Sequence, residues 1–297
     1  MTTRPTPRAD ERTVRIGGAP VRVADDQPTF WDRVDAGTWE PGSLAALRPH
    51  LGTGITFLDM GAWVGPLTLF AAALGSPVLA VEADPAALGQ LRRNLDANPD
   101  LARLVTTVPR AIAPEAGTVR MGARRKPGDS MSSALLAGTS ATAWDAEAIT
   151  PAELADLAGA APLLVKLDIE GGEYRLLPQL VPILVRASAA LVSFHPGVLA
   201  ESGERDTEGV TRAALEGLAG WVSYAVRDGG AVRQDLDARE LARPPYSRYP
   251  DTWLFLPECS GPDLLSRGNA KAHSTFGTAP ARPVVRRALQ TDVAAPG

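Results

Sequence analysis

Four polar side chains stand directly after short apolar runs, where buried strands are expected to end. They are Asp59 after "ITFL", Glu82 after "PVLAV", Asp168 after "PLLVKL" and His195 after "AALVSF". Apolar runs bounded by turn residues are typical of buried parallel strands, and ligands bind at the carboxyl ends of such strands. The sequence therefore predicts that these four groups meet along one edge of a sheet.

The segment "DMGAWVG" (59–65) follows the first of these strands and has the pattern acid-x-Gly-x-x-x-Gly. A dinucleotide turn needs glycine as G-x-G-x-x-G, but positions 63 and 66 are not glycine. The phosphate-binding pattern G-x-x-x-x-G-K-[ST] occurs nowhere in the sequence. Because glycine lets a backbone turn sharply beside a ligand, we interpret Asp59, Gly61 and Gly65 as the turn of a nucleoside site without a pyrophosphate.

The acid after the second strand fits the same interpretation. Glu82 offers two oxygens to the vicinal hydroxyls of a ribose, as the acid of dinucleotide folds does, and Asp59 can accept hydrogen bonds from an ammonium group, directly or through water. S-adenosyl-L-methionine carries these groups, so we expect it as the cofactor, with its adenine near residues 110–113. The alternative is that a turn glycine and a strand-end acid serve the fold alone.

Strand-like and helix-like segments alternate through the middle of the chain. Strands are predicted at 55–60, 77–83, 104–109, 162–169, 189–195, 221–226 and 251–257, and helices at 65–75, 84–99 and 211–220. A further helix after Asp168 is interrupted by Pro178 and Pro182. This alternation predicts an α/β fold, an open and mostly parallel sheet with helices on both faces. The polar residues 121–140 are expected to form a mobile loop over the site.

Composition limits the class of protein. The 297 residues suffice for one core, which we place at 13–260. We expect a disordered N-terminus (1–12) before it and a disordered, basic tail (261–297) after it. The alternative for the tail is that it docks a partner.

A lone cysteine, Cys259, allows no internal disulfide and fits the cytoplasm. No apolar run suits a membrane span or a signal peptide. A net charge of −4 does not indicate a nucleic-acid partner.

Three segments resemble the FkbM-type family of S-adenosylmethionine-dependent methyltransferases: "FLDMGAWVGPLTLFAAALG", "VLAVEADPAALGQLRRNLDANP" and "LLVKLDIEGGEYRLL". The resemblance covers roughly half of the chain. It implies a class I methyltransferase (Rossmann-like) fold and O-methylation of a hydroxyl on a small metabolite or natural product, such as a sugar, polyketide or peptide. By position, it assigns cofactor or motif roles to Asp59, Gly61, Gly65, Glu82, Asp168, Glu170, Gly171 and Glu173.

The chain departs from this family at two positions. Trp63 stands where the family often has Asn, so the floor of the turn can differ. Ser193 stands where an acid is expected before His195, which leaves an acid–histidine pairing at this strand open.

Methylation of a hydroxyl profits from a general base, and His195 is the candidate; the alternative is a histidine that satisfies a backbone carbonyl. Asp168 is the second candidate catalytic residue, and it can orient the acceptor or the donor's amino group.

Glu170 and Glu173 stand in a first helical turn, where acids are favoured whatever the function. Lys166 is expected to pair with a nearby acid. Asp168 and Glu170 suit Mg²⁺, but no third ligand can be named, so no metal site is predicted.

Two rival functions are kept. The first is a non-catalytic binding or scaffold protein on the same fold. The second is a methyltransferase that acts on nitrogen or nucleic acid, because "RPPYSRYP" (243–250) is superficially similar to the Asn/Asp-Pro-Pro-Tyr motif of amino-methylating enzymes. That segment lies away from the fourth strand, and it begins with Arg243, which cannot accept a hydrogen bond from an amine. The acceptor is expected to contact residues 121–140 and 227–250.

Overall fold

The computed structural model describes residues 11–243 and 249–258. The strands of this part are β1 (Glu11–Ile16), β2 (Ala19–Ala24), β3 (Thr56–Met60), β4 (Val78–Val81), β5 (Val105–Val108), β6 (Ala111–Ile112), β7 (Gly117–Ala123), β8 (Ser132–Ser133), β9 (Ala143–Ile149), β10 (Leu163–Leu167), β11 (Ala187–Ser193), β12 (Trp221–Arg227), β13 (Gly230–Arg233) and β14 (Thr252–Pro257).

The α-helices of the same part are α1 (Pro28–Asp35), α2 (Pro41–Leu47), α3 (Pro66–Ala73), α4 (Pro85–Asp96), α5 (Pro99–Ala102), α6 (Pro151–Leu157), α7 (Glu173–Leu176), α8 (Val181–Leu184), α9 (Pro196–Glu201), α10 (Thr207–Glu216) and α11 (Ala238–Leu241). Short 3₁₀ helices cover Arg48–His50, Ala134–Leu136 and Leu177–Gln179.

The central sheet has eight strands in the order β13-β12-β14-β11-β10-β3-β4-β5. Strands β5, β4, β3, β10 and β11 run parallel, and β14 is antiparallel to β11. The chain therefore winds outward from β3 to β5, crosses to β10, and continues in the opposite direction. This is the order of a class I methyltransferase fold, and it confirms the predicted fold class.

Helices cover both faces of this sheet, as predicted. Leu58 and Met60 point toward the face covered by α6, α7, α8 and α10, whereas Phe57 points toward the face covered by α1 to α4 and the β1–β2 hairpin. Successive strand residues face opposite sides, so near-continuous apolar strands such as Leu163–Leu167 fill both cores.

The predicted helix at 84–99 forms for the expected local reasons. Asp84 precedes α4 and accepts a hydrogen bond from the N–H of Ala86 at 2.8 Å, while Pro85 occupies the first helical turn. A carboxylate cap and a first-turn proline both favour a helix start. The helix after Asp168 is broken into α7, a 3₁₀ turn and α8 at Pro178 and Pro182, which confirms the predicted interruption.

Two parts of the fold were not predicted. Residues 11–50 form the hairpin β1–β2 and helices α1 and α2. Residues 111–149 form a second sheet in the order β6-β9-β7-β8. The expectation of a loop at 121–140 is therefore wrong in part, because this segment contains the end of β7, β8 and a 3₁₀ turn. The strand residues inside it, 121–123 and Ser132–Ser133, form stretches too short to show an alternating pattern in the sequence.

The ends of the chain are described only in part. Glu11 and Arg12, expected within a disordered N-terminus of residues 1–12, belong to β1. The remaining N-terminal residues, 1–10, and the predicted tail at 261–297 lie outside the described residues, so the boundaries of the predicted domain at 13–260 stay predictions. Among the described residues, no helix has the length and apolarity needed to span a membrane.

Candidate functional site

A cleft of about 1180 Å³ lies at the carboxyl ends of the parallel strands. The four polar groups expected at this edge, Asp59, Glu82, Asp168 and His195, all line it, as does Gly61. The sequence prediction of a shared edge is therefore confirmed. Gly65 is not among the lining residues; a Cβ at this position would overlap the side chain of Leu91, so glycine here lets the residue before α3 approach α4 closely.

The turn after β3 depends on the absence of a side chain at Gly61. Its φ is +84°, in the left-handed region, and a Cβ there would overlap the carbonyl oxygen of Asp168. The N–H groups of Gly61 and Ala62 both donate to the carbonyl of Val81, each at 3.0 Å. The turn therefore lies tightly between β4 and the chain that follows β10, and it joins the two sides of the cleft.

Glu82 lies at the end of β4 and is held by backbone donors. The N–H of Trp63 donates to its Oε2 and the N–H of Asp84 donates to its Oε1, both at 2.7 Å. Burial raises the pKa of Glu82 to about 7 against these hydrogen bonds. Each carboxylate oxygen has two acceptor positions, so each can still accept a hydrogen bond from a hydroxyl in the cleft.

Asp59 is fully buried, and its oxygens contact groups of the protein. The Thr68 hydroxyl donates to Oδ2 at 2.6 Å, and the Lys166 ammonium lies 3.2 Å from Oδ1. Lys166 stands beside Asp59 in the register of β10 on β3, which confirms its expected pairing with an acid. Oδ1 of Asp59 is therefore paired with an ammonium of the protein, and the contact of Asp59 with a ligand's ammonium group, directly or through water, stays a prediction.

Lys166 also links the turn to the opposite side of the cleft. Its Nζ donates to the carbonyl of Gly61 at 2.5 Å and lies 3.5 Å from Oδ2 of Asp168. Burial alone lowers the pKa of Lys166, but the nearby carboxylates, first Asp59 and then Asp168, outweigh it and raise the pKa above its ordinary value. Lys166 is therefore a buried cation shared by the two sides.

Asp168, Glu170 and His195 converge on the other side of the cleft. Nε2 of His195 lies 3.4 Å from Oδ1 of Asp168 and 3.6 Å from Oε1 of Glu170. Asp168 and His195 remain partly open to the cleft, with 25% and 20% of their side chains exposed. Asp168 follows β10 and donates its N–H to the carbonyl of Met60, whereas His195 precedes α9.

The acid that orients His195 is Glu173, from the first turn of α7. Its Oε1 lies 3.1 Å from Nδ1 of His195 and accepts the backbone N–H of the same residue at 2.8 Å, while its Oε2 accepts the N–H of Gly171. The side chain of Glu173 is fully buried. Sequence reasoning missed this role because it attributed Glu173 to the general preference for acids at helix starts, which does not explain such burial. The available signal was the group of buried apolar residues around position 173.

Burial and charge perturb the pKa values of this cluster. Burial lowers the pKa of His195, but Glu173, Glu170 and Asp168 together outweigh it and raise the pKa to about 10. Burial raises the pKa of Glu170 to about 7, against the attraction of His195. With the imidazole flanked by three carboxylates, the charged form of His195 is favoured at neutral pH.

The N-terminal part of the chain supplies further residues that sequence reasoning missed. Glu40, at a φ of 41°, lines the cleft. Its side chain is open to solvent, yet desolvation by the protein atoms around it, and second the charge of Asp168, raise its pKa to about 7. The rings of Phe30 and Trp39 also line the cleft and pack together with Trp63 of the glycine turn, with Phe30 4.5 Å from Trp63 and 5.4 Å from Trp39 between centroids.

The segment between β7 and β8 is tied to the Glu82 side of the cleft. Oδ2 of Asp84 accepts the N–H of Gly128 at 2.7 Å and the hydroxyl of Ser132 at 2.9 Å, and Nε1 of Trp63 donates to the carbonyl of Gly128. Residues of this segment line the cleft, as the sequence predicted for 121–140. None of the described residues of 227–250 lines it; residues 244–248 lie outside the described part of the chain.

Comparison with known proteins shows distant likeness in structure only. The sequence matches no protein-family model and no curated protein. The structure is similar to a precorrin-6y C5,15-methyltransferase from Geobacter metallireducens, with 16% identity over 72% of this chain and 82% of that one and a TM-score of 0.34. It is also similar to a SAM-dependent methyltransferase from Agrobacterium tumefaciens, with 12% identity, 85% and 72% coverage and a TM-score of 0.42.

A third similar structure is that of aTrm5 in complex with tRNALeu, with 11% identity, 85% coverage of this chain and 53% of that one, and a TM-score of 0.39. At such identities and TM-scores these likenesses carry no information about activity or acceptor. The strand order itself establishes the fold of this chain.

Proposed function

We propose that this protein is an S-adenosyl-L-methionine-dependent methyltransferase of the FkbM type that methylates a hydroxyl oxygen of a small metabolite or natural product. One observation carries the proposal. A single cleft at the carboxyl edge of a class I sheet contains both a ribose-type acid, Glu82, and a cluster of acids with a histidine, Asp168, Glu170 and His195. Methyl transfer needs a donor and an acceptor side by side.

The residues on the Glu82 side fit the donor. Glu82 is fixed by two backbone N–H groups and retains one acceptor position on each oxygen, as a vicinal diol requires. Arg110, Ala111 and Ile112 line the adjoining wall, where the adenine is expected. When bound, the donor supplies an electrophilic methyl group on a sulfonium. Gly61 keeps side-chain atoms away from the space between the donor and Asp168.

The catalytic assignments are Asp168 and His195, the two residues expected from the sequence. Their roles change, because Asp168 and not His195 is assigned as the proton acceptor. Asp168 presents a partly exposed carboxylate to the cleft and is the group that accepts the proton of the acceptor hydroxyl. His195, fixed through Nδ1 by Glu173, holds the Asp168 carboxylate through Nε2. Lys166 on the other oxygen keeps that carboxylate in place.

Titration calorimetry with S-adenosylhomocysteine tests the donor side. We expect micromolar binding to the wild type and at least tenfold weaker binding to Glu82→Gln, a loss of about 1.4 kcal/mol or more. Glu216→Gln, which changes an exposed acid of α10, is the matched control and should bind as the wild type does. A folded wild-type protein that gives neither heat nor a thermal shift would contradict the proposal and favour the scaffold function.

A further inference from the structure

The atoms of Asp168, Glu170 and His195 that meet in the cleft have the arrangement of metal ligands. One ligand atom from each residue can be chosen so that all three lie within 4.8 Å of one another. Nε2 of His195 is 3.4 Å from one carboxylate and 3.6 Å from the other. Ligands about 2.1 Å from a common ion stand roughly 3.0–3.4 Å apart at octahedral to tetrahedral angles. Small side-chain movements therefore suffice for all three to share one ion.

The histidine is oriented as a ligand is. Its Nδ1 side contacts the fully buried Glu173, so the Nε2 side faces Asp168 and Glu170. Metal-binding histidines commonly donate their second ring N–H to a carboxylate, which fixes the tautomer and aims the free nitrogen at the metal. Glu173 provides that contact without itself facing the cleft, since none of its side chain is exposed.

A second, independent observation is an unpartnered carboxylate oxygen. Oε2 of Glu170 is buried and has no hydrogen-bond partner. Buried polar atoms are almost always satisfied, and an exception calls for an ion, a water or a functional role. Of the cations near Glu170, His195 lies 3.6 Å from the other oxygen, Oε1, and Arg124 pairs with Glu201, so no side-chain cation among the described residues bonds to Oε2.

We propose that Asp168, Glu170 and His195 bind one divalent metal ion of the Mn²⁺ type, with Glu173 orienting the histidine. Two carboxylates and one imidazole form a mixed oxygen and nitrogen ligand set, and three protein ligands leave coordination positions open toward the cleft. The use of this ion in methyl transfer rests on the proposed function, where a coordinated acceptor hydroxyl would be more acidic; the binding itself does not.

Binding of Mn²⁺ alone to the chelator-treated full chain tests the site, by calorimetry and by electron paramagnetic resonance. We expect saturable binding of one ion, at least tenfold weaker in Glu170→Gln and in His195→Ala, and 10- to 100-fold weaker in Glu173→Gln. Glu216→Gln is the matched control: it changes an exposed acid of α10 that does not line the cleft and should bind within twofold of the wild type.

A measurement on the wild type keeps the test independent of variants that fail to fold. Electron spin echo modulation of bound Mn²⁺ should show coupling to an imidazole ¹⁴N nucleus. Absence of saturable binding at 1 mM Mn²⁺, binding without nitrogen coupling, or equal affinity in a folded Glu170→Gln would each overturn the metal site. Titration of the same samples with S-adenosylhomocysteine reports on the proposed function separately, since Glu82 lies outside the trio.

Discussion

The two sides of the cleft use carboxylates in opposite ways. On the side of the glycine turn, Asp59 and Glu82 accept hydrogen bonds from Thr68, Trp63 and Asp84, and Asp59 pairs with a buried lysine. On the other side, three carboxylates crowd around one imidazole, and an oxygen of Glu170 has no partner.

The difference indicates what each side is built to do. Carboxylates fixed by backbone donors keep a constant shape, which suits a ligand that must bind in one orientation. Carboxylates crowded around one imidazole attract positive charge, which suits proton transfer and cation binding. Under the proposed function, we therefore expect the first side to bind the methyl donor in a fixed orientation and the second side to carry out the reaction. Four measurements test this contrast.

The largest effect is expected where the two sides meet, at Lys166. Lys166→Met leaves the fully buried Asp59 without its cation, so the free energy of unfolding should fall by about 3–5 kcal/mol. Chemical denaturation measures this loss. Arg120→Met, which breaks an exposed pair with Asp145, should cost less than about 1 kcal/mol. Equal losses in the two variants would show that Lys166 does not stabilise the turn side.

Gly61→Ala tests whether the turn needs both its φ and its space. The added Cβ meets the carbonyl of Asp168 at a φ of +84°, and we expect a loss of roughly 3 kcal/mol from steric overlap and backbone strain together. Gly18 has a similar φ of +88° with open space around it, so Gly18→Ala should lose only about 1–2 kcal/mol from strain. Equal unfolding free energies for the two variants would contradict the close approach of the turn to the opposite side.

The pH dependence of S-adenosylhomocysteine binding tests whether Glu82 acts as an ionised, preorganised acid. The pKa of Glu82 is about 7, above its ordinary value, so the folded protein carries a protonated Glu82 below that pH. If the ionised form holds the ribose, affinity for S-adenosylhomocysteine rises with pH through 7 and is about tenfold weaker at pH 6 than at pH 8. Calorimetry at both pH values checks this, and Glu82→Gln should abolish the step.

The smallest effect concerns the segment that covers the Glu82 side. Asp84→Ala removes both the cap of α4 and the contacts to Gly128 and Ser132, so it should cost about 1 kcal/mol and speed amide hydrogen exchange across residues 124–132. Thr150→Ala removes the cap of α6 and is the matched control: it should cost a similar amount without changing exchange in that segment. Unchanged exchange in Asp84→Ala would contradict the tethering.

The sequence predicted the parts of the site whose physics is local. The strand β3, its glycine turn and helix α3 follow from an apolar run, Gly61 and a helix-forming segment, and the start of α4 follows from Asp84 and Pro85. The shared edge of Asp59, Glu82, Asp168 and His195 follows from the rule that parallel strands end at one side. Each strand, turn and helix start depends on residues a few positions apart, and the rule for parallel strands then relates their ends.

The partners of the site residues could not be predicted in this way. Sequence reasoning looked for the partner of His195 within its own strand, where Ser193 stands, whereas the structure supplies Glu173 from α7. Glu40 and the three aromatic rings reach the cleft from residues 30–63, and the segment 121–140 pairs into a second sheet. Each contact joins segments far apart in sequence, and no local periodicity records them.

The sequence by itself therefore determined the alternating elements, the two-faced sheet and the position of the cleft at its carboxyl edge, because hydrophobic period, turn residues and helix caps act over short distances. Only the tertiary structure decided the chemical state of the groups in that cleft. Burial and the carboxylates brought by α7 and the loop after β10 set the charge of His195, and the register of β10 on β3 places Lys166 against Asp59. Electrostatic interactions depend on the distances between groups in space. The fold sets these distances by bringing together segments that are far apart in the sequence, so spacing along the sequence does not predict them.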